Sequence, residues 1–485
     1  MKIVNISAEI APFSKTGGLG EVAKSLPVAL RQLGQEIISI TPLHHTIERA
    51  LLEPGGAFSV VIDGKTIEFA YWKKETNGGA VYFIEHKKYF TDPDSIYLTG
   101  FDNERFYVFG VAALELLKKI MFSPDVVQCH DWHTGLVPYL LKYRYSKDPF
   151  FESVASVFTI HNLAFQFETN WWEADESCRD DGSKNLPPLG DRHMHCVNFA
   201  LRAIMTADVI NTVSESYAKE ILTKEFGENL EIMLRTRRSD IYGIINGVDY
   251  EAYNPATDPG LKAQYNFDDI EKKKINKVEL QRVAGLPQDK DIPVIGMVSR
   301  ITEQKGVDLI LKILDDVLDD RVQVVIMGMG DKEYENIFTS IYKEKYQNFS
   351  FLPFEKNKET LVYAGSDLYL MPSRFEPCGL GQLIGLRYGA IPIVRRVGGL
   401  ADTIDNYDPE SDQGIGFVFR KYEPIYLFGA IIRGLVNYKH KQSWERLVQR
   451  AMRLSFSWEL PAEKYLRLFE YAIDNKRSKK VRLPI

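Results

Sequence analysis

Lys15, Gly17 and Gly18 stand in the stretch SAEIAPFSKTGGLGEVAKSLPVAL, between an apolar strand-like run and an apolar helical one. Glycines ahead of a helix let another molecule come close to the backbone, and a helix start offers N–H groups and a positive dipole end to an anion. Lys15 adds a full charge beside them. The pattern returns in the second half as RRVGGLADTI, where Gly398, Gly399 and Leu400 open a helix after a strand. Arg300 and Lys305, in VSRITEQKG, follow another strand, and two cations beside a glycine turn suit a diphosphate. SRFEPCGLGQLIGLRYG sets Glu376 and Cys378 ahead of Gly379, Leu380 and a further helix entry. A carboxylate there repels phosphate and fits neutral hydroxyls instead. TIHNLAFQ and HDWHTG place His161, Asn162, Asp131 and His133 at strand ends. Together these residues describe cations for a diphosphate and polar groups for a polyol.

Two other chemistries fit less well. Gly18-x-Gly20-x-x-Ala23 has the form of a dinucleotide fingerprint, but APFSKT intervenes after Ile10 and the second strand ends SITPLH without a carboxylate for a ribose. His193, His195 and Cys196 lie close in sequence, yet no second ligand pair at metal-binding spacing accompanies them, so no metal is expected.

The elements that must position these residues are short apolar runs alternating with helical patterns. KIVNIS, EIISIT, DVVQCH, SVFTIH and VINTVS read as strands in the first half, with EVAKSLPVALRQL and GVAALELLKKI as helices between them. IPVIGMVS, VQVVIMG, NFSFLP, DLYLMP and AIPIV continue the alternation, with helices over VDLILKILDDVL and ENIFTSIYKEKY. This is the signature of parallel sheets with crossover helices, hence two doubly wound α/β domains. The break lies near residues 244–259, rich in Asn, Gly, Pro and Asp. Residues 168–195 are the least regular stretch and read as a functional or mobile loop. The closing SWELPAEKYLRLFEYAIDNKRSKK is amphipathic with a basic end, as in a surface helix with a frayed tail.

A chain of 485 residues exceeds what one core usually serves. A net charge of -6 leaves no basic footprint for nucleic acid, and no apolar run is long enough for a bilayer. The start MKIVNISAEI is broken by polar residues and reads as a buried strand, not a secretion signal. Cys129, Cys178, Cys196 and Cys378 have no paired spacing, which suits reduced thiols and a cytoplasmic location.

With these motifs in order, the chain resembles the bacterial glycogen synthases and plant starch synthases. KTGGLGEV, HDWHTGL, TIHNLAFQ, NTVSESYAKEI, GIINGVD, YNPATD, SRITEQKG, SRFEPCGLGQL, VRRVGGLADT and GIGFVF carry the resemblance along nearly its whole length. It implies a GT-B fold, two Rossmann-like domains facing a central cleft: residues 1–248 on the acceptor side, 249–455 for the nucleotide-sugar donor, and 456–485 as a helix returning to the first domain. It implies retaining transfer of glucose from ADP-glucose, or alternatively UDP-glucose, to the 4-hydroxyl of an α-1,4-glucan or maltooligosaccharide, without a cofactor. Arg300 and Lys305 would hold the diphosphate. Lys15, Gly17, Gly18 and Asn246 would meet the donor, as would Cys378, Gly379 and Leu380. Gly398, Gly399 and Leu400 would offer it backbone N–H groups, and Glu376 would bind the glucose hydroxyls. His161 would lie at the reacting centre, with Asp131, Asn162 and Glu21 on the sugar and acceptor side. Glu21 stands where relatives often carry Asp, and residues 168–196 follow the family pattern poorly. A non-catalytic glucan- or nucleotide-binding homologue is the rival reading, but it should have lost some of Lys15, His161, Arg300, Lys305 and Glu376, and all five are present. A small-acceptor glucosyltransferase is disfavoured by the KTGGL and EPCGL pair, and a phosphorylase would need a cofactor lysine in another context.

Overall fold

The computed structural model describes residues 1–318, 321–342 and 345–481. The chain forms two compact units, one of Met1–Gly247 joined by the stretch from Trp458 onward, the other of Val248–Ser457.

The first unit is built on nine strands: β1 (Lys2–Ile6), β2 (Glu36–Pro42), β3 (Glu53–Ile62), β4 (Lys65–Thr76), β5 (Gly79–Glu85), β6 (Val126–His130), β7 (Ala155–Ile160), β8 (Val209–Thr212) and β9 (Ile241–Gly243). They lie in the order β3-β4-β5-β2-β1-β6-β7-β8-β9. From β5 to β9 every pairing is parallel, whereas β3-β4 and β4-β5 are antiparallel. The antiparallel pair extends the sheet where the sequence pattern marked no strand. In β3 the inward positions Phe58, Val60 and Ile62 alternate with exposed ones, a half-buried strand following Gly55 and Gly56.

Five strands carry buried polar bonds across the sheet. Gln128 on β6 donates to Thr159 on β7 at 3.1 Å, Thr159 to Asn211 on β8 at 2.6 Å, and the Asn211 amide to the Tyr465 hydroxyl at 3.1 Å. Asn5 of β1 bonds Ser39 of β2 at 3.0 Å. Buried polar residues of this kind are tolerated because each makes a hydrogen bond, although Gln128 Oε1 accepts none. Tyr465 belongs to the last helix, Glu459–Val481. That helix is more than a surface element: Trp458, Ala462, Tyr465, Phe469 and Ala472 are buried against Ile3, Val22, Leu26 and Val157.

The second unit has six strands, β10 (Val294–Ile301), β11 (Gln323–Gly330), β12 (Phe349–Pro353), β13 (Leu368–Met371), β14 (Ile391–Arg395) and β15 (Phe417–Phe419), in the order β12-β11-β10-β13-β14-β15 and parallel at every pairing. Within the unit this is the doubly wound order 3-2-1-4-5-6. The run expected as one helix over VDLILKILDDVL is two short ones, Val307–Leu311 and Leu314–Leu318. Of ENIFTSIYKEKY, residues 343–344 lie outside the described residues.

The expectation of four reduced thiols is overturned for two of them. Cys178 and Cys196, 18 residues apart, form a disulfide with Cα atoms 4.8 Å apart, while Cys129 and Cys378 remain buried thiols. An irregular loop had brought distant positions together, which spacing alone does not reveal. No described helix is long and apolar enough to cross a membrane.

Phe469→Ala should cost the first unit roughly 3–5 kcal/mol through an unfilled core. Tyr465→Phe should cost about 1–3 kcal/mol by taking the acceptor from the buried Asn211 amide. Calorimetric unfolding of both variants checks this, and wild-type stability in Tyr465→Phe would mean the polar row does not rely on the last helix.

Candidate active site

In an open parallel sheet, ligands bind beyond the carboxyl ends of the strands where the winding reverses. In the first unit that point is between β1 and β6, and in the second between β10 and β13. Most of the residues singled out from the sequence follow the carboxyl ends of β1, β6 and β7 in the first unit and of β10, β13 and β14 in the second.

Beyond β1 the chain runs through Glu9 and the KTGGL stretch into the helix Gly18–Gln32. Sequence reasoning missed Glu9. Its buried carboxylate accepts from the Thr16 amide at 2.5 Å, the Thr16 hydroxyl at 2.7 Å and the Gly20 amide at 3.1 Å. Burial pushes its pKa up while these donors pull it down. A carboxylate three residues after the end of β1 was the available signal. The consequence corrects an expectation, because part of this helix start already serves an internal anion. Lys15 likewise has a counter-charge, Glu21 at 2.7 Å. Gly17 and Gly18 differ from Gly20. A Cβ at Gly20 would lie 3.2 Å from the Ser14 carbonyl, whereas one at Gly17 or Gly18 meets nothing within 4 Å. Neither has the positive φ that calls for glycine, so the fold itself gives no reason for them, and close approach by a ligand does.

At the end of β6, Asp131 adopts φ 53, rare outside glycine. The turn aims its carboxylate back across the sheet, where Oδ1 accepts from the His161 amide at 2.7 Å and the Asn162 amide at 3.4 Å. Burial pushes Asp131 up to about 7 against these two donors, and the nearby Glu9 charge adds to the rise. Asp131, His161 and Asn162 are therefore one cluster. His161 is held from behind by a chain of fixed protons. The Asn5 amide donates to the Ala23 carbonyl at 3.2 Å and Ser39 at 3.0 Å, so Asn5 Oδ1 must accept from His130 Nε2, at 2.5 Å. His130 Nδ1 then accepts from His161 Nε2, at 2.9 Å. Burial keeps both rings neutral, lowering His161 to about 3 and His130 well below its ordinary value. His161 thus presents an unprotonated Nδ1, an acceptor fit for a hydroxyl. Elsewhere in the unit, Asn246 is buried with its Oδ1 unpartnered, as suits a group awaiting a ligand.

In the second unit Arg300 lies at the end of β10 and Lys305 one short turn later, Glu303–Lys305. Lys305 Nζ sits 2.6 Å from Glu376 Oε2, which also accepts from Ser373 at 2.9 Å. Arg300 bonds Gln304 at 3.1 Å. The two glycine-rich turns pack on each other: a Cβ on Gly398, at φ +45, would strike the Glu376 carbonyl at 2.0 Å, and one on Gly399 the Cys378 carbonyl at 2.0 Å. Two N–H groups expected to face a donor are instead used internally, Gly399 to the Glu376 carbonyl at 3.0 Å and Leu400 to the Val397 carbonyl at 3.1 Å. The buried Leu400 side chain is core. Gly379, at φ +76, and Leu380 lead into the helix Gly381–Arg387 beside buried Cys378. His193, His195 and Cys196, considered for a metal, belong to the irregular loop, and the ligand atoms of Cys178, His195 and Cys196 converge within 4.8 Å with the two sulfurs already bonded.

Two parallel α/β units with cationic and carboxylate turns at their switch points define a glycosyltransferase of the GT-B class. Residues 2–236 match the family described as starch synthase catalytic domain, and 280–450 that of glycosyl transferases group 1. The chain is 40% identical to a glycogen synthase of Desulforudis audaxviator, over 98% of this chain and 97% of that one, and 38% identical to one of Thermotoga maritima over 98% and 99%. The catalytic domain of starch synthase IV from Arabidopsis thaliana, solved with ADP and acarbose, superposes with a TM-score of 0.87 at 32% identity, covering 97% of this chain and 99% of that one. A sucrose-phosphate synthase from Thermosynechococcus elongatus, at 16% identity and a TM-score of 0.62, shares the fold. The chain belongs to the glycogen and starch synthase family and is a glucan-elongating glycosyltransferase.

Gly18→Ala should fold with unchanged thermal stability yet lose kcat/KM, while Gly399→Ala should lose stability itself. Melting curves beside kinetics separate the two, and full activity in Gly18→Ala would remove the close-approach explanation. For Asp131, the folded value near 7 exceeds the ordinary 3.8. Between those values the folded chain keeps a proton that the unfolded chain has lost, so this group's contribution falls as pH rises from about 4 to about 7. Asp131→Asn removes that cost. Its urea midpoint relative to wild type should therefore be more favourable at pH 8 than at pH 5, and a pH-independent difference would show the carboxyl to be ordinary.

Proposed function

We propose that the chain transfers glucose from ADP-glucose to the 4-hydroxyl at the non-reducing end of an α-1,4-glucan, with retention at the anomeric carbon. The reading rests on the Lys305–Glu376 pair at 2.6 Å, beside Arg300 and a doubled glycine turn. An ammonium carries three N–H groups, so one on a carboxylate leaves capacity for phosphate oxygens. Glu376 then accepts from sugar hydroxyls next to the bond that breaks. The starch synthase that this chain resembles was solved with ADP and acarbose, which favours an adenine nucleotide and a glucan-like acceptor.

Retention through a covalent intermediate needs a carboxylate free to attack. Glu376 is tied to Lys305 and Ser373, and Asp131 is drawn onto the His161 and Asn162 amides. The departing diphosphate is the better base. It takes the proton of the acceptor hydroxyl on the same face as an oxocarbenium-like centre forms, while Arg300 and Lys305 stabilise its charge. The neutral His161 accepts a hydrogen bond from the transferred sugar and adds no positive charge beside a cationic centre. Asn246 and Lys15 serve the donor, and Asn162 and Glu21 the sugar and acceptor.

Nucleotide release from ADP-glucose and UDP-glucose, each with a maltooligosaccharide, should give the higher kcat/KM for ADP-glucose, with lengthened glucan as product. Failure to lengthen glucan from either donor would sink the reading. Lys305→Ala should lower kcat by roughly 10²-fold in a folded protein, and near-normal turnover would remove the lysine from the leaving-group role.

A further inference from the structure

The disulfide lies outside everything the proposed transfer uses. Cys178 is buried and Cys196 half-buried, with His195 exposed beside them. His195 Nε2 is 3.5 Å from Cys196 Sγ, and its Nδ1 is hydrogen-bonded to the Arg192 carbonyl. A carbonyl only accepts, so Nδ1 carries the proton and Nε2 turns its lone pair to the sulfur. That is the arrangement that draws a proton from a thiol and leaves a nucleophilic thiolate. A disulfide kept for strength alone needs no such base.

The bridge also lies within a segment whose two ends meet at Asn103. The Asn103 side-chain amide donates to the carbonyls of Met194 and Val197 at 2.8 and 2.9 Å, its backbone N–H donates to Glu168 Oε2 at 2.6 Å, and the Glu168 N–H donates to Asn103 Oδ1 at 3.0 Å. Asp180, two residues after Cys178, forms a buried two-pronged pair with Arg202 at 2.7 and 2.8 Å and accepts from the Asn198 amide at 3.1 Å. Asn198 donates in turn to Gln166 at 2.6 Å, and Gln166 to the Leu163 carbonyl at 3.2 Å, one residue after Asn162. Order in residues 168–197 is thereby linked through a few bonds to the turn carrying His161 and Asn162.

We propose that Cys178 and Cys196 are a thiol–disulfide exchange site, with His195 as the base of Cys196, and that the bonded state holds the loop for glucan binding. In reduction, the thiolate of a small thiol or dithiol attacks Cys196 Sγ. The Cys178–Cys196 bond breaks, and Cys178 leaves with the electron pair and takes a proton. A second reductant thiolate attacks the mixed disulfide, forming the oxidised reductant and releasing Cys196 as a thiolate, and His195 Nε2 takes up the second proton. Two electrons and two protons pass to the protein for each disulfide made in the reductant. A low-molecular-weight disulfide runs the steps in reverse. Cys178 and Cys196 act on transfer through the loop and are positioning residues.

The exchange is independent of the activity assignment, but its effect on glucan binding rests on that reading, and the experiment separates them. The full chain is equilibrated across mixtures of reduced and oxidised glutathione, trapped with an alkylating agent and mapped by mass spectrometry. Cys178 and Cys196 should pass together between bonded and alkylated forms in the folded protein while Cys129 and Cys378 do not pair. His195→Gln should slow the passage by about tenfold without abolishing it. In parallel, reduced wild type, Cys178→Ser and Cys196→Ser should share a KM for maltooligosaccharide raised by about threefold or more, with the donor KM and kcat within about twofold. Re-oxidation should restore the wild type alone. A pair that stays bonded until the protein unfolds, thiols that never pair with oxidised glutathione, or stoichiometric zinc on the cluster in the purified protein would each overturn the exchange site. Reversible exchange with an unchanged glucan KM would overturn the link to binding. Absence of transfer in every redox state would refute the activity assignment while the mapping still decides the exchange.

Discussion

A parallel sheet delivers every strand-to-helix turn to one edge, and the turns on either side of the first strand diverge because the winding reverses there. Both units obey this constraint, and the chemistry of each depends on it. β1 and β6 separate the Glu9–Gly18 stretch from the Asp131 turn, while β10 and β13 do the same for Arg300–Lys305 and Ser373–Gly379. Residues far apart in sequence are brought to one edge without any long loop. Lys305 and Glu376, 71 residues apart, then need only side-chain length to meet.

Around each functional group stands a second group that fixes it. Glu9 gathers the Thr16 and Gly20 amides, Asn5 and His130 set the protons of His161, and Ser373 steadies Glu376. These supporting contacts are short and mostly buried, and in each the donor and acceptor roles are fixed by the neighbouring bonds. Loose side chains would lose in orientation what the charges gain in attraction. Burial shifts the two kinds of titrating group in opposite directions to the same end. It holds His161 neutral and raises Asp131 toward neutrality, so the cluster carries less charge than its formula implies.

Much of this was legible in the sequence. The alternation of apolar runs with helical patterns gave two parallel-sheet units, and the family motifs named the residues at the sheet edges. What escaped has physical causes. β3 alternates buried with exposed positions only in its second half and β4 is mostly partly exposed, a weaker signal than the continuous apolar runs of the central strands. Glu9 looked like an interruption of a strand because its partners are backbone amides, which have no sequence signature. Gly399 and Leu400 looked like anion donors because a glycine at a helix start reads alike whether its neighbour is a ligand or another turn, and here the neighbour is the Glu376–Cys378 backbone.

The loop from 168 to 197 was the hardest part to read, and the reason separates it from the rest. Elsewhere the backbone is satisfied by the sheet and its helices, so period and motif report the structure. In the loop, side chains do that work: Asn103 for two carbonyls, Arg202 for the Gly182 and Lys184 carbonyls, Asp180 for an amide. Such a segment has no period to detect, and its closure rests on bonds between residues far apart in sequence. Leu189, Met194 and Val197 anchor the loop in the core, and the covalent bridge between Cys178 and Cys196 restricts the stretch between these anchors further.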